Sequence, residues 1–486
     1  MSNKKTIVAA AVALAVVAYG GATWYTGEQA EAGYREAVAE LRKALGDKTI
    51  VADEYHKGFF SSQAQLVLQG EAPEADDADE AEAEPAAPIR LVIDTTVYHG
   101  PFAGGRLASA ASESRFALQG LDDKSRQALA KATAPTLTSV HHFTGSRDVQ
   151  VLLPAGEISD KQVTMRWQEL VLDTTFKGDR AKGNLRWPEL ALLGLSSGSD
   201  ADDEDGDDGD DLADSPTDRT TITLKGMDGS FESQSVDGLW GLGPGSTQLR
   251  LAQLGIQKTA AEGGDAQTLA DLKQLSAQSV IEADQATLSM TTQVKGTGRI
   301  GPLDLESVGY EEKYQRLDIE TLRKLQQVVA DGYRKEGLAK AMESLQEQGA
   351  ELLLENAPRL VAALPAYSMK LQATYQGQTG ELAYGGEVRK APSAEQVQAA
   401  GWLPALLQTS AVQANARLPK AWIAPMLKAS GNAEATDQDA QAMVEMAEKM
   451  GYGKAEGDFL TSAFSLNAGQ ATLNGKPFRL PAGALQ

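Results

Sequence analysis

The chain has 486 residues, 42% of them hydrophobic, enough to bury a large core and to form more than one folded unit. It has no cysteine, which excludes disulfides, zinc–thiolate sites, iron–sulfur clusters and thiol catalysis. The net charge of −22 is concentrated in EAPEADDADEAEAE (71–84), with eight acids and no base, and DADDEDGDDGDDLAD (200–214), with ten; about −4 is left for the rest, and no basic footprint for nucleic acid.

Lys4 and Lys5 precede an uncharged run from Ile7 to Tyr25, 19 residues, close to the ~20 that an apolar helix needs to span a bilayer. Trp24 and Tyr25 sit at its far end, where interfacial aromatics gather, and Glu28 and Glu31 precede the next base, Arg35. Residues 1–26 therefore read as a short cytoplasmic N-terminus and one single-pass transmembrane anchor, with the body outside the cytoplasm. A cleaved signal peptide processed near Gly20, Gly21 and Ala22 is the competing reading; the bulky Trp24-Tyr25 pair and the poor A-x-A pattern favour a retained anchor.

Residues 27–48 read as a stem helix standing above the membrane. Tyr34, Val38, Leu41 and Leu45 form one apolar stripe, and Gly46 is a natural stop. Residues 49–317 read as an antiparallel β-rich region with solvated acidic inserts at 71–86 and 199–218. Strands are expected over 61–68, 90–98, 163–176, 220–231, 285–296 and 367–378, which alternate or are β-branched and are punctuated by glycine. A loose strand, Gly-rich turn, strand pattern recurs (KGDRAKGNLRW, KGTGRIGPLDLESV, YQGQTGELAYGG) without a strict period, so long meanders are expected rather than a repeat array.

Residues 318–486 read as a mixed helix and strand region closing the same body. Asp318 caps a helix from Ile319 that breaks at Gly332 and Gly337 and ends near Asn356, before Pro358. Further helices are expected over 394–408, 419–429 and 435–450, the last sending Met443, Met446 and Met450 into a core. The closing segment forms a hairpin around Asn467-Ala468-Gly469 and a second turn at Asn474-Gly475. The fold class is α+β and β-dominated: long antiparallel meandering sheets, forming a curved sheet or groove, with late helices, preceded by one N-terminal transmembrane helix.

Motifs for catalysis are sparse. Gly194-Leu195-Ser196-Ser197-Gly198 matches the nucleophile elbow, yet an acidic insert follows where that motif needs a helix. Gly296-Thr297-Gly298-Arg299-Ile300-Gly301 matches the dinucleotide fingerprint, yet Pro302 and LDLESV continue as strand, which makes it a hairpin turn. Neither Gly206 nor Gly209 places acids in an EF-hand register. The four histidines are His56, His99, His141 and His142. None has metal-ligand spacing, and His141 and His142, adjacent on a strand, point to opposite faces. His56 is expected at the entry of the first strand, with Tyr55 and Phe59 buried beside it.

Four stretches together carry a family likeness: Gly20-Gly21-Ala22-Thr23-Trp24-Tyr25-Thr26-Gly27, Tyr55-His56-Lys57-Gly58-Phe59-Phe60-Ser61-Ser62, His99-Gly100-Pro101-Phe102 and Ala471-Thr472-Leu473-Asn474-Gly475-Lys476. In their order and spacing the chain resembles the YdgA family of bacterial envelope proteins, a domain of unknown function. The resemblance implies an inner-membrane anchor, a periplasmic body and self-association into a homodimer. It supplies no catalytic residues.

The expected function is that of a non-enzymatic envelope protein, a tethered β-scaffold or a lipid-handling groove, with the inner membrane and lipid as partners. No catalytic, cofactor-binding or metal residues and no cofactor are assigned. The alternative is a periplasmic hydrolase using His56 or His99 with a nearby acid and serine.

Overall fold

A computed structural model describes residues 30–478 except 47, 59, 71–87, 100–101, 161–162, 197–218, 237–240, 261–265, 285 and 430–433. The expected anchor and both acidic inserts lie outside the described residues. Among these residues, no helix is long and apolar enough to cross a membrane. The protein is β-dominated, with large antiparallel sheet and a few helices. Two compact units are present: residues up to Leu193 with Met227–Gln234 and Leu325–Ala350, and Gly194–Gly226 with Ser235–Lys324 and Glu351 onward. They cut the chain differently from the division at 317/318 drawn on composition.

The first unit is a meander. Its strands are β1 (Ile50–His56), β2 (Ser61–Gln69), β3 (Arg90–His99), the small β4 (Phe102–Ala103) and β5 (Arg106–Leu107), β6 (Ala110–Gln119), β7 (Thr136–His141), β8 (Ser146–Leu153), β9 (Gly156–Ser159), β10 (Thr164–Trp167), β11 (Leu170–Lys177) and β12 (Arg180–Ser196). Antiparallel pairing runs β1–β2–β3–β6–β7–β8–β11–β12–β10–β9. The expected single strand over 163–176 is β10 and β11, broken at Gln168-Glu169. The later part of β13 (Arg219–Gln234) also belongs here; the Phe231 ring occupies the space that a side chain at Gly183 would need.

Helix α1 (Ala30–Leu45) packs on one face of this sheet. Its stripe Tyr34, Val38, Leu41 and Leu45 joins Leu66, Ile93, Phe116 and Leu137 in one core. The stripe is the one read from the sequence, but the helix is part of the folded body rather than a free-standing stem. The reason is physical: an apolar stripe beside a half-apolar sheet face is stabilised by about 25 cal/mol per Å² removed from water. The short helix α2 (Asp123–Ala128) links β6 to β7, with the Ser125 amide donating to Asp122 Oδ1 at 2.6 Å.

The second unit has longer strands: β14 (Gly245–Thr259), β15 (Gln267–Ala283), β16 (Thr287–Ile300), β17 (Leu303–Asp318), β18 (Ala366–Tyr375), β19 (Gln378–Val388), β20 (Ser410–Pro419), β21 (Lys454–Glu456), β22 (Phe459–Asn467), β23 (Gln470–Leu473) and β24 (Lys476–Pro477). Successive strands pair antiparallel from β14 to β20, and β22 adds beyond β20. The dinucleotide-like motif is the hairpin between β16 and β17, where Ile300 pairs with Leu303. Asn467–Gln470 and Leu473–Lys476 close the two final turns, with Ala468, Gly469, Asn474 and Gly475 all at positive φ.

Helix α3 (Ile319–Glu355) starts where the Thr321 amide donates to Asp318 Oδ2 at 2.8 Å. Straight, it would be about 55 Å long. Instead Lys324 Nζ donates to Asn356 Oδ1 at 2.8 Å, and the Leu325 side chain lies beside Gly349. The chain reverses between these points, the interval holding Gly332 and Gly337. After α4 (Ala357–Ala362), α5 (Ala394–Ala400) and α6 (Trp402–Thr409) divide at Gly401, which has φ 82°. In the pair α7 (Ile423–Ala429) and α8 (Asp437–Lys449), Ile423 and Ala424 pack on Ala440 and Val444. Met443, Met446 and Met450 are exposed, which corrects their assignment to the core. The small Ala440 allows close helix approach, and the methionines fall on the other side of α8.

Candidate functional site

The two histidines offered for catalysis have different surroundings. His56 ends β1 with its side chain 75% exposed, its Nε2 3.3 Å from Glu54 Oε2. It lies at the end of a strand rather than at the entry of one, because the segment 50–56 pairs with β2. Tyr55 is partly buried in the α1 core; Phe59 is outside the described residues. His99 ends β3, and its Nε2 is 2.9 Å from Ser62 Oγ. The link follows from register: the His99 amide donates to the Phe60 carbonyl at 2.9 Å, which sets Ser62 one pleat away on the same face. Burial, then the charge of Lys57, holds the His99 pKa below the usual histidine value. Ser62 is 0% exposed. Among the described residues no carboxylate bonds the other His99 nitrogen.

The same face continues to His141, which is buried and lies 3.3 Å from Ser139 Oγ. Burial, then the charges of Arg147 and His142, brings its pKa down to about 4. Arg147, directly opposite on β8, stacks 4.7 Å over the Phe176 ring. His142 turns the other way, as expected for adjacent residues, with Nε2 2.7 Å from Asp148 Oδ2. Among the described residues no three His, Asp or Glu side chains converge as metal ligands.

The second unit carries a different arrangement. One row of directly opposed residues crosses seven strands: Leu249, Ala277, Val294, Tyr310, Leu371, Leu382 and Ala416. The next row, on the other face, reads Gln248, Gln278, Gln293, Glu311 and Lys370. There Gln293 Nε2 donates to Glu311 Oε2 at 2.7 Å and Lys370 pairs with Glu381 at 2.9 Å. One face is therefore a polar ladder, and the other is apolar along this row, with Thr247, Ser279, Thr292 and Glu312 beside it in the next. The apolar face stays open, with Leu371, Leu382 and Tyr384 at 42%, 43% and 44% exposure.

Within that apolar face sits one carboxylate, Glu312. The hydroxyls of Tyr314 and Tyr367 donate to its Oε1 at 2.8 and 3.1 Å. The Tyr314 and Tyr367 rings are 4.9 Å apart, and Tyr384 is 6.0 Å beyond Tyr367. The Tyr314 bond, outweighing partial burial, holds the Glu312 pKa below the usual range, and Glu312 in turn pushes Tyr314 up to about 12. Among the described residues no lysine or arginine pairs with Glu312. The triple Tyr310, Glu312, Tyr314 was available in the sequence as a period-2 signal, YEEKY; Tyr367 and Tyr384 join only through the β17–β18–β19 register. A separate apolar cleft between Pro358, Val361, Pro392 and Trp402 has no titratable side chain in its lining.

These features define an antiparallel β protein with an apolar row of residues on one sheet face. The chain belongs to DUF945, a family of bacterial proteins of unknown function, whose model matches residues 3–481. It is also similar to the uncharacterized protein YihF of Escherichia coli (strain K12), 32% identical over 106 residues, 20% of this chain and 20% of that protein. The match thus spans about a fifth of that relative's length. No solved structure matches.

Proposed function

We propose that the chain is a non-enzymatic envelope protein of the YdgA type, anchored in the inner membrane by residues 7–25, whose second unit receives lipid on its open apolar sheet face. The single observation that carries this is the apolar row from Leu249 to Ala416, none of it buried and Leu371 and Leu382 exposed, opposite a polar ladder. A face of this size normally marks a binding surface. With strands about 4.8 Å apart, seven of them span about 29 Å. A bilayer's hydrocarbon core is about 30 Å for two chains, so one acyl chain of about 15 Å fits along the row.

Native mass spectrometry of the detergent-extracted full chain tests this and reads the proposed homodimer at the same time. The expected result is a retained lipid adduct, lost when Leu371→Lys and Leu382→Lys place charges on the face. Both positions are exposed, so the fold tolerates the change. Wild-type protein free of lipid under all mild detergents would sink the reading.

The hydrolase reading has one observation in its favour, the Ser62–His99 pair at 2.9 Å. A nucleophile at 0% exposure cannot meet a substrate carbonyl, and the pair lacks an orienting acid among the described residues. The non-enzymatic reading is therefore better supported.

A further inference from the structure

We infer that Glu312 and the tyrosines around it form a site for an alkylammonium group, the amine head of the amphiphile whose chain lies along the apolar row. This deepens the lipid reading and rests on it. The argument starts from an imbalance. A carboxylate on an apolar face is costly unless its charge is satisfied. Tyrosine hydroxyls at 2.8 and 3.1 Å satisfy hydrogen bonding to Oε1, but they do not neutralise the charge. The cations of the neighbourhood point elsewhere: Lys313 pairs with Glu311, and Lys370 with Glu381, on the opposite face.

Across the strands Glu312 faces Thr292 and Met369, and the rest of the lining is aromatic. Tyr314, Tyr367 and Tyr384 follow one another with ring centroids 4.9 and 6.0 Å apart. Gly386, directly opposite Tyr367, puts no side chain beside that ring. An organic cation is attracted to tyrosine π faces and to a carboxylate together, which is how aromatic cages hold ammonium groups. An anionic head is repelled by Glu312. The hydrocarbon tail then runs from this cluster along Leu371 and Leu382, whose exposed side chains begin two residue pairs from Tyr384 on the same face.

The test is native mass spectrometry of the full chain in detergent, offered phosphatidylethanolamine and phosphatidylglycerol with identical acyl chains. Wild type should retain the amine-headed lipid about tenfold more strongly, and Glu312→Gln should bring the two lipids to parity. Tyr384→Ala, at an exposed position, should reduce the preference even if the Glu312 variant does not fold. Equal retention of both lipids by wild type would overturn the ammonium site while leaving the lipid reading standing. Retention of neither would overturn both. Free ethanolamine binding as tightly as the lipid would show a soluble-amine site and would also overturn the inference.

Discussion

Ser62 Oγ and His99 Nε2 lie 2.9 Å apart on neighbouring strands, 37 residues apart in the chain. The pair resembles half of a catalytic triad, with Ser62 fully buried and His99 partly so. Ser62→Ala should therefore leave the imidazole nitrogen unsatisfied and cost about 1–3 kcal/mol in urea unfolding. A serine-directed phosphonate should leave Ser62 unlabelled in the folded protein. Stoichiometric labelling at that residue would revive the enzyme.

His56 is a contrast. Its side chain is mostly in water, and among the described residues its ion-pair partner is the exposed Glu54. Replacing it by alanine should change stability by no more than about 0.5 kcal/mol, as for ordinary surface positions. The sequence alone placed His56 at the entry of a strand, with Tyr55 and Phe59 buried beside it. A large drop in the unfolding midpoint would restore that reading.

His141 makes stability depend on pH. Between the ordinary histidine pKa of about 6.5 and the folded value of about 4, the unfolded chain binds a proton that the folded chain does not. Its contribution is fully present above that window and is lost as pH falls through it, by about 3 kcal/mol. Arg147 and His142 both oppose protonation. Unfolding wild type and His141→Gln at pH 7 and pH 4 should show a smaller acid loss in the variant. Parallel losses would contradict the assignment.

Helix α1 offers a test of its place in the core. Leu41 is buried against the sheet, so Leu41→Ala should cost about 2–5 kcal/mol. A free-standing stem would tolerate the change without effect on the melting of the β body.

Gly298 has φ 135°, and a Cβ there would collide with the Asp271 carbonyl oxygen. Gly298→Ala should destabilise the β15–β16 pairing by more than 1 kcal/mol, on the order expected for a forced backbone shift. Hydrogen exchange of β15 and β16 amides would report the loss locally.

The strands that were legible in the sequence are those with clean alternation or glycine turns, such as Ser61–Gln69 and the closing hairpins. β15 was missed for a definite reason. Leu269, Leu272 and Leu275 recur every three residues, which imitates a helical face, and two register shifts, one at Leu269 and one at Gln274 with φ 53°, fit them into a strand. β1 was missed because Asp53 and Glu54 interrupt its apolar signal; Asp53 is paired with Arg42 of α1 at 3.2 Å, a partner no local pattern reveals. The same limit applies to the sites. Tyr310, Glu312 and Tyr314 share a face by local periodicity, but Ser62 meets His99, and Tyr367 meets Glu312, only through strand register. The exposed methionines of α8 show that an apolar stripe indicates a face without saying whether the fold covers it.

Gln69 and Arg90 are direct partners across β2 and β3, and the Gly70 amide donates to the Ile89 carbonyl at 2.9 Å. The chain thus departs from the sheet and rejoins it at adjoining points. Doubling a connection's length costs only about 0.6 kcal/mol in closure entropy. That junction is accordingly a grafting position: a fluorescent or affinity module with neighbouring termini, spliced between residues 71 and 86, would be carried outside the ladder without altering which residues face each other along it.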